Sequence, residues 1–136
     1  MNTKQSLWSP SAERSAATHV EKFRRRVNEL YGLALADFSA LHSWSVEERE
    51  KFWAALWDYA DVRSSVRGDI VLENAQAMPG ARWFPQARLN FAENLLLGSG
   101  EDTAIVFQGE EGESRSISHA QLYSEVRAVA QGLRSA

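Results

Sequence analysis

The 136 residues contain no cysteine. Disulfides, thiolate metal sites and cysteine nucleophiles are excluded together. No run of 18 apolar residues occurs, so no membrane-spanning helix is expected. The start, Met1-Asn2-Thr3-Lys4-Gln5-Ser6, is polar and leads into no apolar signal-peptide segment. Neither charge sign dominates: 15 basic and 18 acidic residues mix along the chain to a net −3. Nucleic acid and membrane are therefore not expected as partners. Internal repeats and low-complexity segments are absent. Tryptophan is missing after Trp83, whereas Trp8, Trp44, Trp53 and Trp57 precede it. That asymmetry points to two segments of different origin.

What is present is ordinary for a globular chain. Apolar content of 44% and charged content of 24% make a globular profile, not a disordered one. The length suits one domain, or a small domain plus part of another. A soluble cytoplasmic protein is the default expectation.

Ser9-Pro10 reads as a helix start, with serine as cap and proline at the first helical position. Thr18-x-x-Glu21 has the form of a capping box. Val20, Phe23, Val27, Leu30 and Tyr31 follow at helical spacing until Gly32, which predicts a helix over 19–31. Residues 33–43 read as a loop with a short helix begun at Asp37. Ser45-x-x-Glu48 is a second capping box and predicts a helix over 46–60, with Glu47, Glu48 and Glu50 favoured at its positive end. Residues 61–68 break the period. Asp69–Glu73 reads as a short strand and Met78-Pro79-Gly80 as a turn. Asn90-x-x-Glu93 caps a helix over 91–97, which Gly98-Ser99-Gly100 ends. Beyond that boundary, 104–107 and 114–117 read as a hairpin around the polar turn 109–113. Ser118-x-x-Gln121 then caps a last helix, with Leu122, Val126, Val129 and Leu133 on one face. The expected fold class is α+β and helix-rich: about five helices, a short strand or two near 70–84, and the hairpin. One hairpin and one helix cannot cover both faces of a sheet. The C-terminal piece is therefore expected to be the start of a larger α/β domain, cut after its first helix.

Several residues invite a functional reading, each beside a structural one. Trp83-Phe84 would line a pocket wall, or serve as core and interface anchors. Asn90 and Glu93 are explained by capping, while Asn94 inside the helix is expected to bond to a neighbouring segment. Arg24-Arg25-Arg26 would bind an anion, or form a solvated face beside Glu21, Lys22 and Glu29. Arg82 and Arg88 are candidates for docking against another part of the protein. The alternating helix Phe52-Trp53-x-x-Leu56-Trp57-x-Tyr59 would bind a partner, or pack against helix 19–31 and the Trp83 region. His19, His42 and His119 show no metal-ligand spacing, and His19 and His119 are expected to be exposed. Their positions define no Ser-His-Asp arrangement. No catalytic, cofactor-binding or metal-binding residue is assigned.

The stretch Trp83-Phe84-Pro85-Gln86-Ala87-Arg88-Leu89-Asn90-Phe91-Ala92-Glu93-Asn94-Leu95-Leu96 is the most specific in the chain. Together with Leu7–Ser11, Leu41–Glu47 and Phe52-Trp53, it resembles the N-terminal extension of the acyl-CoA synthetases, most closely the acetoacetyl-CoA synthetase group. Ala104–Ala136 resembles the opening of the large AMP-binding domain of adenylate-forming enzymes. The resemblance implies an extension over 1–100 and the start of the large domain over 101–136. For the whole protein it implies an acid–thiol ligase of lipid and ketone-body metabolism that uses ATP, Mg²⁺ and coenzyme A. The family's phosphate loop, a Ser/Thr/Gly-rich segment ending in lysine, does not occur here, nor do its ribose-binding acid and mobile lysine. The chain alone is thus expected to be non-catalytic and to bind no cofactor, with the remainder of its own adenylating domain as partner. A fragment of an acetyl- or propionyl-CoA synthetase and a free-standing helical interaction module are the alternatives. Oligomeric state leaves no mark in these residues.

Overall fold

The computed structural model describes residues 8–98 and 100–136. Leu7 of the Leu7–Ser11 segment, the polar start and Ser99 of the expected boundary lie outside the described residues. The contacts divide the chain into two compact units, one of residues up to Val62 with Arg67–Gln86, the other of Arg63–Val66 with Ala87–Ala136.

The first unit holds four helices, α1 (Ala12–Ala16), α2 (His19–Tyr31), α3 (Phe38–Glu47) and α4 (Arg49–Tyr59). It also holds an antiparallel ribbon of β1 (Leu72–Glu73) and β2 (Arg82–Trp83), in register Leu72 to Trp83 and Glu73 to Arg82. The second unit has α5 (Phe91–Leu95), the hairpin of β3 (Thr103–Gln108) and β4 (Ser114–Ser118), and α6 (His119–Ser135). The described residues are thus mixed α and β, with six helices where about five are expected.

Helix α2 forms as its sequence dictates. Thr18 accepts the Glu21 N–H at 3.3 Å, and Gly32 ends the helix at φ +63°, in the left-handed region. Its apolar stripe buries Phe23 and Val27. The Glu21 carboxylate does not close the capping box. It pairs instead with Arg24 at 2.6 Å and Arg25 at 3.0 Å. The Arg24 guanidinium also donates to the Leu35 carbonyl, so this arginine ties a loop down rather than standing in a solvated face. Hydrogen bonds from Arg24, then Arg25, hold the Glu21 carboxyl down from its ordinary 4.5 to about 2. Because the folded value is depressed, the stabilisation is present above pH 4.5 and is lost as pH falls towards about 2. Melting temperature against pH is expected to drop less steeply across that window in Glu21→Gln than in the unaltered chain.

Three expectations for the first half are corrected. The first cap is Ser11, which accepts the Arg14 N–H at 3.1 Å, not Ser9. The helix expected from Asp37 is there but is not short: Asp37 caps α3 through a 2.9 Å bond from the Ala40 N–H, and the helix runs on to Glu47. Ser45 therefore lies inside α3 and caps nothing; its hydroxyl donates back to the His42 carbonyl at 2.7 Å. The break falls at Glu48, at φ −110° and ψ 51°, and α4 starts there without a side-chain cap.

The core of this unit is Phe23, Val27, Leu41, Trp44 and Ala55, flanked by Tyr31, Leu33, Leu35, Phe52, Leu56 and Tyr59. Phe23 meets Phe52 and Tyr59 edge-on, with centroids 5.7 and 5.2 Å apart. Asn28 fastens the chain after α2. Its carboxamide accepts the Leu35 N–H at 2.9 Å and donates to the Leu35 carbonyl at 3.1 Å.

In the second unit Ser118 and Gln121 complete a reciprocal capping box, as their spacing predicts. The hairpin pairs Ile105 with Ile117 and Phe107 with Arg115, with a register shift between Thr103 and Ile105. Helix α5 ends at Leu95, two residues before the expected limit. The predicted strand over 69–73, in the first unit, likewise shortens to Leu72–Glu73.

Candidate functional site

The aromatic positions of the first unit converge on one place. Helix α4 is apolar on two adjacent faces, one towards the core and one carrying Trp53 and Trp57. Trp83 lies 5.4 Å from Trp53, and Phe84 lies 4.5 Å from Trp57, centroid to centroid. The packing reading of the alternating helix is borne out, against α2 on one side and the ribbon on the other. With Leu56, Ala60 and Val62 the four rings line an open apolar cavity of about 510 Å³. Phe84 adopts φ +42°, unusual for a bulky residue. Its N–H donates to the Val71 carbonyl at 2.8 Å, which helps hold it there. Arg67 sits over the Trp57 ring at 5.8 Å and pairs with Asp58 at 2.8 Å. This wall is built for contact with apolar surface and carries no group suited to acid–base work.

In the second unit the signature segment acts as a backbone clamp. Asn90 caps α5 by accepting the Glu93 N–H at 3.3 Å. Asn94 accepts the Arg63 N–H at 2.8 Å and donates to the Arg63 and Asn90 carbonyls, both at 2.9 Å. Beside it Val66 and Arg88 form an isolated antiparallel bridge. The carboxamide of Asn94 thus extends that pairing by imitating a strand. Asn94→Ala is expected to cost about 1–3 kcal/mol, two to three net hydrogen bonds. Asn94→Asp, which keeps the acceptor but sets a carboxylate oxygen against two carbonyls, should cost at least as much; chemical denaturation measures both.

The remaining candidates do not gather. Arg82 pairs with Glu73 across the ribbon at 3.1 Å. Arg88 is exposed and held through its backbone. Arg25 pairs with Glu21, and Arg26 is exposed. His19 is exposed as expected, with Nδ1 3.2 Å from the Tyr59 hydroxyl. His119 is a correction: it is half-buried, because its ring packs against the backbone at Gly98, and its buried Nδ1 has no hydrogen-bond partner among the described residues. Among the described residues no group of three or more His, Asp or Glu could hold a metal ion. No helix among them is long and apolar enough to cross a membrane.

Residues 38–95 match the sequence family described as acetyl-coenzyme A synthetase N-terminus. The chain is 37% identical over 135 residues to acetoacetyl-coenzyme A synthetase of Rhizobium meliloti (strain 1021), covering 99% of this chain and 21% of that protein. It is 39% identical over 136 residues to malonamoyl-CoA synthetase of Penicillium aethiopicum, covering 95% and 18%. Acetoacetyl-CoA synthetase of Xenopus tropicalis is 33% identical over 131 residues, covering 94% and 19%. The chain therefore spans about a fifth of the length of the curated relatives it matches. No solved structure matches it.

Proposed function

We propose that this chain, a homologue of the N-terminal part of the acetoacetyl-CoA synthetases, is the structural N-terminal part of an ATP-dependent acetoacetate–CoA ligase. Residues 1–100 serve as the extension and 101–136 as the first elements of the AMP-binding domain. The observation that carries this reading is the uncovered apolar surface of the second unit. Val106 is 69%, Val129 63% and Leu133 76% exposed, on a hairpin and a helix that need a further layer to bury them. The relatives, about five times longer, have the chain to supply one.

In the intact ligase, acetoacetate attacks the α-phosphorus of ATP to give acetoacetyl-AMP and diphosphate. The thiol of coenzyme A then displaces AMP. Positioning and charge neutralisation dominate such a reaction. The donor set among the described residues fits no Mg²⁺ site, so no step is assigned to these side chains. Their part is to brace the domain that does the chemistry, in the cytoplasm. The acyl group of acetoacetyl-CoA and that of malonamoyl-CoA, named in two of the relatives, both carry a carbonyl on the β carbon. That shared feature favours acetoacetate over acetate or propionate.

Release of AMP by the intact protein with coenzyme A and each acid tests this. Acetoacetate is expected to be used at least about tenfold more efficiently than acetate, a difference of roughly 1.4 kcal/mol in transition-state binding. Equal use, or preference for acetate, would overturn the acyl assignment. Micromolar binding of ATP and Mg²⁺ to the 136-residue chain alone, measured by calorimetry, would overturn its structural role.

A further inference from the structure

The chain leaves the first unit after Val62 for a short strap, Arg63–Val66, and returns to it at Arg67. Polar groups fasten this strap at two places. The Arg63 N–H donates to Asn94 Oδ1 at 2.8 Å, and the Arg63 carbonyl accepts from Asn94 Nδ2 at 2.9 Å. The Arg88 carbonyl accepts the Ser65 N–H at 2.9 Å and the Ser65 hydroxyl at 3.1 Å, and the Val66 N–H reaches the same oxygen at 3.4 Å. A carbonyl oxygen has two lone pairs, so the third and longest of these bonds is weak. The Arg88 N–H donates back to the Val66 carbonyl at 2.8 Å. Burial adds little to these bonds. All the strap residues are exposed, as is Arg88, and the apolar side chain among them, Val66, is 47% exposed.

We infer that the strap is a releasable latch, which opens from Arg88 and Asn94 in one piece while both units keep their folds. Hydrogen bonds in reach of water are each worth little net. A segment with exposed backbone bonds and few buried apolar contacts belongs to the least stable part of a fold. The bonds open together because the strap is short and both anchors lie on one stretch, 88–94. Release of one end lets water reach the other. The first unit loses nothing of its core, since Phe23, Val27, Leu41, Trp44 and Ala55 all lie outside the strap. With the latch open, only the chain passage after Gln86 tethers the second unit to the first. The latch does not depend on the ligase reading.

Hydrogen exchange of the 136-residue chain, followed amide by amide in low concentrations of urea, is the test. The Arg63, Ser65 and Arg88 amides are expected to exchange at least about tenfold faster than Val27 in α2, with little dependence on urea because opening exposes little surface. In Asn94→Ala the informative amides are Ser65 and Arg88, since neither bonds to Asn94. Both should exchange about tenfold faster or more. The milder Ser65→Ala removes one hydroxyl bond and should speed Arg63 about two- to fivefold, although Arg63 is held by Asn94. Acceleration confined to the amide whose own partner was removed would overturn the latch. So would a urea dependence of the strap amides as steep as that of Val27 or of the β3–β4 amides, since the opening would then be the unfolding of a whole unit.

Discussion

Trp44→Ala is expected to lower stability by about 3–5 kcal/mol, the range for removing a large aromatic side chain from a core. Trp44 is 8% exposed and sits between Tyr31, 5.4 Å away, and Phe52, 6.3 Å away. The core it belongs to has five buried members, so no neighbouring layer can collapse into the gap. A small domain has about 5–15 kcal/mol in total, so this one change removes a large part of the first unit's margin. Trp53 gives the control. It is 41% exposed, so Trp53→Ala removes a ring already half in water and should cost roughly half as much. Urea denaturation followed by circular dichroism reads both. A loss below about 1 kcal/mol for Trp44→Ala would mean that α3 is not packed as described.

Gly68→Ala should be nearly as damaging. Gly68 has φ +76°, and an added Cβ would lie 2.5 Å from both Cβ and Oε1 of Gln86. The left-handed conformation costs an L-residue roughly 1–2 kcal/mol, and overpacking adds about 1–3 kcal/mol. The position cannot relax cheaply, because Gln86 Oε1 accepts the N–H groups of Asp69 at 2.9 Å and Ile70 at 3.3 Å. The double variant Gly68→Ala with Gln86→Ala should recover little. It removes the clashing oxygen, but it keeps the clashing Cβ and leaves two N–H groups without their acceptor. Full recovery in a thermal melt would show that the oxygen alone causes the cost.

What the chain discloses before folding is mostly local. Thr18, Asn90 and Ser118 announce α2, α5 and α6 because a cap bonds three residues ahead, within one turn. The same logic misleads at Ser45, whose spacing to Glu48 is correct by coincidence. Asp37 had already started a helix, and burial of Leu41 and Trp44 carries it through Ser45; tertiary packing outweighs a local pattern. Asn94 is legible as a residue in need of a distant partner, but nothing local names Arg63, which is 31 positions away. His119 looks exposed by its place after a cap, but the chain at Gly98 approaches its ring.

The division of the chain carries one more consequence. It passes from one unit to the other after Val62, back after Val66, and across again after Gln86. No single cut can therefore release either unit whole. A protease that nicks the chain between Val66 and Arg67 leaves residues of both units on each product. Truncation after Val62 would strip α4 of Trp83 and Phe84 and leave two indoles bare. A stable fragment therefore has to keep all three crossings, and a domain boundary drawn at any one of them would break a unit.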